Sequence, residues 1–228
     1  MKMRKKTGLI LIVLGVLLIA VAICLVFHNA EEDYNAGKSS EIILEQVKNS
    51  IDERSKGGHS TPASVELPDE QGSITAETDT DFETDVVTET EPSTNQTPAV
   101  EIDGDLYIGY IALPTIGITL PVMADWSNEK LMSAPCRHFG SLESNDLVIA
   151  GHNYTRHFGK LDRLQLGDSI IFTDMNGVCV AFKVEKIETV PGDDVAAVQQ
   201  SGFDLVLYTC NYTGKSRIMV FCNRADKE

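Results

Sequence analysis

From Gly8 to Phe27 the chain runs for 20 residues without one charged side chain, as GLILIVLGVLLIAVAICLVF. As a helix rising ~1.5 Å per residue, such a run is about 30 Å long, the thickness of a bilayer's hydrocarbon core. Lys2, Arg4, Lys5 and Lys6 precede it, and Glu31, Glu32 and Asp33 follow it. Basic flanks stay on the cytoplasmic side, so the N-terminus is expected in the cytoplasm and everything after residue 30 outside the cell membrane. Other readings fit less well. A cleaved signal peptide has a shorter apolar core and small residues at its cut, whereas the best exit here is His28-Asn29-Ala30. A lipoprotein anchor at Cys24 is disfavoured by bulky Ile23 before it. A buried core helix would not carry this charge asymmetry. Residues 1–30 therefore read as an uncleaved single-pass anchor that contacts lipid through residues 8–27.

Residues 31–105 read as one extracellular linker. Its first part holds EIILEQVKNSI (41–51), with apolar residues at 43, 44, 47 and 51 on one helical side. A short juxtamembrane helix and a transient helix in a tail both fit that spacing. Residues 57–105 contain 13 Asp or Glu and no Lys or Arg. Thr, Ser, Pro and Glu dominate, and too little apolar surface is present to offset the entropy of ordering, so this part is expected to be disordered. A self-repelling stretch of this length reaches tens of Å and would hold a following domain away from the membrane. It also carries most of the formal charge of −15. Residues 106–228 have 11 basic and 14 acidic residues, close to balance, and no basic face for nucleic acid.

From Leu106 short β-branched and aromatic runs alternate with Gly, Pro, Asn and Asp. Strands are predicted at 107–112, 116–122, 146–150, 169–173, 178–189, 203–210 and 216–223, with one short helix at Ser127 to Ser133 capped by Ser127. The class is all-β, a closed or sandwiched domain, and about 120 residues suffice for one core.

The five cysteines, at 24, 136, 179, 210 and 222, include no CxxC and no regular spacing. They form neither a disulfide framework nor a zinc site, although one or two disulfides remain compatible with an extracellular domain. Cys210 ends the run LVLYTC, where a thiol reaches the rim of a β scaffold; a buried structural cysteine is the alternative. His152 likewise follows the run LVIAG, and an imidazole exchanges protons with a thiol and an amine near neutral pH. His138 and His157 are its rivals. Arg217 opens the last strand after the turn Asn211-Tyr212-Thr213-Gly214, and a hairpin would bring it to Cys210. A guanidinium cannot serve as a base, but it stabilises a developing oxyanion. Arg224, its competitor, lies roughly 20 Å further along that strand.

The set Cys210, His152 and Arg217 on a tethered β scaffold resembles the sortases over roughly residues 106–224. The stretches that carry the resemblance are IGYIALPTIGITLPVM, VIAGHN, KLDRLQLGDSIIF and LYTC…RIMVF, in that order. One departure is Val206 in VLYTC, where the family pattern is T-L-x-T-C; it leaves the subclass open. The resemblance implies a sortase-like closed β-barrel of about eight strands with short helices over 106–228. It implies Cys210 as nucleophile, His152 as acid/base and Arg217 as the oxyanion-stabilising residue. It implies a cysteine transpeptidase that cleaves an LPxTG-like sorting signal of secreted proteins through a thioester and passes the acyl group to a peptidoglycan-precursor or pilin amine. The loop 191–202 would help read the signal, with Val195, Ala196, Ala197 and Val198 lining a groove beside Thr209. Some members bind calcium, but Glu143, Asp146, Asp193 and Asp194 show no ligand spacing, so no metal and no cofactor are expected. No Asp-Pro precedes residue 106, against the lid of some pilin-building members. Two other functions share these residues: a cysteine protease giving hydrolysis only, and a non-catalytic binding module.

Overall fold

The computed structural model describes residues 2–56, 97–192, 201–211 and 214–226, with the side chains of the first helix described from residue 12. That helix, α1 (Lys2–Lys56), is continuous over 55 residues. It is long and apolar enough to cross a membrane, and its large apolar side chains from Ile12 to Phe27 are exposed. Nine strands follow: β1 (Val100–Ile102), β2 (Asp105–Leu113), β3 (Ile118–Met123), β4 (Cys136–Phe139), β5 (Leu147–Gly151), β6 (Ser169–Asp174), β7 (Cys179–Pro191), β8 (Leu205–Cys210) and β9 (Ser216–Arg224). The short helix α2 (Lys130–Ser133) precedes β4, and the Ser127 hydroxyl accepts the Lys130 N–H at 3.0 Å, the expected cap.

Strand pairing closes a barrel. β2 bonds to both β3 and β6, so the circuit β2-β3-β4-β5-β8-β9-β7-β6 returns to its start with eight strands, and β1 hangs on β2 as a ninth. β3–β4 and β5–β8 are parallel, and the other pairs are antiparallel. Closure depends on Gly109. It follows a bulge in β2, at φ 143°, and a Cβ there would lie 2.0 Å from the Thr173 carbonyl oxygen of β6. Without a side chain the two backbones come close enough to pair. Inside, alternate residues of the strands meet: Leu147 and Ile149 of β5, Leu205 and Leu207 of β8, Val220 and Cys222 of β9. The other face of the same strands is apolar too, with Val148, Ala150, Val206, Tyr208, Met219 and Phe221 in one cluster. Burial on both faces explains why these three strands read as unbroken apolar runs rather than alternating ones.

The sequence placed 31–105 in a single linker, and both ends of that span are ordered structure. Residues 31–56 continue α1, because its stripe Ala36, Ser40, Leu44, Val47 and Ile51, spaced at three and four, is buried against the barrel. Val47 and Ile51 share a cluster with Ile102, Tyr107, Met123 and Met175. Lys48 extends its ammonium over the Tyr110 ring at 5.4 Å. At the other end β1 adds a strand at 100–102. The acidic stretch expected to be disordered lies, from 57 to 96, outside the described residues. β4 was missed because CRHF puts two polar residues, Arg137 and His138, side by side and has too short an apolar run to mark a strand. Introducing Asp at Val47, which is 0% exposed, is expected to destabilise the chain by more than about 3 kcal/mol in denaturant unfolding of the detergent-solubilised protein. Asp at Ile42, exposed on the opposite side of α1, should change stability by less than about 1 kcal/mol.

Candidate active site

β8 lies between β5 and β9, and each neighbour presents one polar residue to its C-terminal end. Along the parallel pair, Gly151 is level with Thr209, so the next residues, His152 just beyond β5 and Cys210 at the end of β8, lie at the same end of two strands spaced about 4.8 Å apart. Across the antiparallel pair, Cys210 stands directly opposite Arg217. Residues opposed in this way share a face of the sheet. Cys210 has the same parity as Val206 and Tyr208, so it caps the outer apolar face and is part-exposed there. The structure thus brings together the ends that carry the three residues singled out in the sequence.

A cleft of about 450 Å³ opens over Cys210 and Arg217, walled by Trp126, Leu131, His138, Phe139 and Tyr208, with Gly151 on its floor. Arg217 donates from a terminal nitrogen to the Gly214 carbonyl at 3.3 Å, which anchors the guanidinium beside the turn. Arg224 is held elsewhere: it donates to Asn145 Oδ1 at 2.8 Å and to the Leu142 carbonyl at 2.6 Å, at the far end of β9. Of the expected groove residues, Thr209 does not face this cleft. Strand alternation turns it towards the barrel interior, where it is 1% exposed. Val195, Ala196, Ala197 and Val198 lie outside the described residues.

The three domain histidines are distinguished by their partners. His138 Nδ1 lies 2.6 Å from the Tyr208 hydroxyl, and its ring stacks on Trp126 and Phe139. Burial pushes the Tyr208 phenol up to about 12, so it remains protonated. His138 Nδ1 is therefore engaged by a neutral hydroxyl whichever group donates, and burial lowers the basicity of the ring. His157 is fully buried, with Nε2 2.8 Å from Ser40 Oγ of α1. The one Ser40 hydroxyl proton goes to the Ser133 carbonyl at 2.6 Å. Ser40 can then only accept from the imidazole, which fixes the proton of neutral His157 on Nε2. His152 stacks on Tyr154 with ring centroids 3.9 Å apart, and its Nδ1 has no hydrogen-bond partner among the described residues. Burial lowers its pKa, partly opposed by the charge of Glu32, so the imidazole is neutral at neutral pH.

The five cysteines are all free thiols. Burial pushes Cys136 up to about 12 and raises Cys222 further, so neither supplies a thiolate near neutrality. Cys179 is exposed on β7, beside Thr173. Sequence reasoning named His138 only as a rival of His152 and did not find the cleft walls Trp126 and Tyr208; the three come from separate segments. The lone tryptophan of the chain was the one available signal.

The sortase-domain family model matches residues 111–225, about half of the chain, and the chain belongs to the sortase family. Among solved structures it resembles the lid mutant of sortase A from Corynebacterium diphtheriae, at 23% identity over 53% of this chain and 71% of that one, with a TM-score of 0.46. It resembles sortase C1 from Streptococcus agalactiae at 27% identity over 56% and 72%, TM-score 0.47. It also resembles a sortase D5 transpeptidase from Clostridium perfringens at 22% identity over 52% and 78%, TM-score 0.47. No curated protein sequence matches the chain.

Burial of His157 gives folding a pH dependence. Its pKa falls from an ordinary 6.5 to about 4, chiefly by desolvation. The unfolded chain binds this proton first, so the stability it contributes is present above about pH 6.5 and lost as pH falls towards 4. The loss should approach about 3 kcal/mol. Denaturant midpoints measured between pH 7 and pH 4 should show a shallower decline in His157→Asn than in the parent chain.

Proposed function

We propose that the protein is a membrane-anchored cysteine transpeptidase in which Cys210 attacks a peptide carbonyl, His152 moves the protons and Arg217 receives the oxyanion. The observation that supports this most is the double register at the end of β8, with Thr209 level with Gly151 on one side and Cys210 opposite Arg217 on the other. Neutral His152 takes the thiol proton as the sulfur forms its bond to the carbonyl carbon. Negative charge builds on the carbonyl oxygen, within the field of a cation already anchored at Gly214. The C–N bond then breaks, and the imidazolium returns its proton to the departing amine. A thioester remains on Cys210. A second amine attacks that thioester, the C–S bond breaks, and the acyl group leaves as a new amide.

The donor on this reading is a secreted protein with an LPxTG-like sorting signal, and the apolar wall of Leu131, Phe139 and Tyr208 suits its Leu-Pro portion. The acceptor is an amine of a cell-wall precursor or of a pilin. α1 supports a membrane location, and the basic residues before its apolar run with the acidic ones after it favour a catalytic domain on the outer side. His152 is preferred to His138 because Nδ1 of His138 is already engaged by the Tyr208 hydroxyl.

With a sorting-signal peptide and an added amine, Cys210→Ala should abolish both thioester and product. His152→Ala should lower the rate of thioester formation by about 10²–10⁴-fold, and Arg217→Ala by about 10²–10³-fold. His138→Asn should cost less than about tenfold. An active His152 variant beside an inactive His138 variant would reverse the assignment. Acid product alone at every amine concentration would make the protein a protease instead.

A further inference from the structure

His152 stands between two clefts. Its neighbour Gly151 is on the floor of the Cys210 cleft, while His152 itself lines a second cleft of about 690 Å³. The far wall of this second cleft is α1, through Val26, Asn29, Ala30 and Glu32. Among the described residues no Lys or Arg lines it. Thus His152 lines an acid-walled cleft, while the residue before it lines the apolar, cation-bearing cleft of Cys210.

On the transpeptidase reading, on which this inference rests, the thioester side must admit two molecules in turn. We propose that the cleft between α1 and the His152 loop is the entry and binding site for the acceptor, a primary amine that arrives as an ammonium, with Glu32 as the residue that recognises its charge. The acyl donor occupies the Cys210–Arg217 side, where a cation and apolar walls suit a carbonyl flanked by Leu and Pro. An acceptor coming through the same groove would have to displace it. The second cleft is the one that His152 itself lines, and a base is needed there for the second step. There the ammonium sheds one proton to water. The nitrogen lone pair forms the C–N bond, the C–S electron pair stays on sulfur, and the second nitrogen proton passes to His152.

Glu32 is the available charge in this wall. Asp33 accepts the Arg156 backbone N–H at 3.3 Å, and the Arg156 guanidinium is drawn over the Tyr34 ring at 5.1 Å. Glu32 is half exposed, and its carboxylate lies 3.4 Å from the His28 imidazole, one turn earlier on α1. Its field reaches the reacting group, because it opposes the loss of basicity that burial imposes on His152. Val26, at the end of the apolar run, sits in the same wall. The mouth of the cleft therefore lies at the level of the bilayer surface, and the acceptor must be presented there. The membrane helix is on this view a part of the active site, and a domain cut free of it lacks one wall.

The test uses the full chain in lipid nanodiscs, loaded with a sorting-signal peptide and titrated with either of two nucleophiles. One is the side-chain amine of a blocked lysine, charged near neutral pH; the other is hydroxylamine, mostly uncharged there. Glu32→Gln should raise the KM for the lysine amine about five- to tenfold, the worth of one partly desolvated charged contact, and leave the KM for hydroxylamine unchanged. Glu32→Asp should recover part of the difference. An unchanged ratio of the two KM values, or an equal rise in both, overturns the acceptor site. Failure of the parent chain to form any thioester overturns the transpeptidase reading itself, and the two failures are told apart by mass measurement of the acyl-enzyme.

Discussion

The register of β8 against its two neighbours is the constraint on which the site depends. Slipping either pairing by one residue would turn Leu205 and Leu207 out of the barrel and bring Val206 and Tyr208 in. It would also move Cys210 off Arg217 and Thr209 off Gly151. Because both faces of β8 are packed, the cost of a slip falls on every residue of the strand. The core thereby positions chemistry that it does not touch. Closure reinforces this, since in a ring of eight strands a shift at one seam has to be absorbed at another, and the Gly109 seam leaves no room for a side chain.

Burial acts on all three domain histidines in one direction, towards the neutral form. Their different capacities come from partners. His157 is tied through Ser40 to the Ser133 carbonyl and serves the contact between α1 and the barrel. His138 braces Tyr208 at the cleft wall. Nδ1 of both His152 and His157 lacks a partner among the described residues, but His157 is fully buried, whereas His152 is a neutral ring that lines a cleft. A base that has to pick up a proton from sulfur and give it to nitrogen needs that combination more than it needs a high pKa.

Much of this could be read from the residues. Cys210, His152 and Arg217 follow or open long apolar runs, and runs buried on both faces are the strongest β signal a sequence offers. The ends of the predicted strands were located to within two residues, the strand after Leu113 starting at Ile118 because Pro114–Ile116 forms a 3-10 turn. Thr209 was misjudged because adjacency in sequence is opposition in a strand: the neighbour of a rim residue faces the core. His138 was underrated for the reason β4 was missed, since CRHF has no extended pattern and gains its place from Tyr208, seventy residues later. Pairwise contacts across that separation leave no local mark.

The same reasoning bears on α1. The spacing of residues 43, 44, 47 and 51 showed an apolar stripe, yet a stripe does not name what covers it. In the folded chain Ile51 meets Ile102, and Arg54 donates to the Ala99 carbonyl at 3.4 Å. The two flanks of the acidic stretch 57–96 therefore meet on one surface. A segment whose ends are held together cannot set the distance between domain and membrane, whatever its reach. That distance is fixed by α1, which runs unbroken from the apolar segment to the barrel wall. The acidic stretch is a closed excursion, and closing a loop of this size costs only slowly more as it lengthens. Its length is free to vary without moving the catalytic mouth, whereas residues added to α1 between Phe27 and Ala36 would rotate and lift the barrel together with His152.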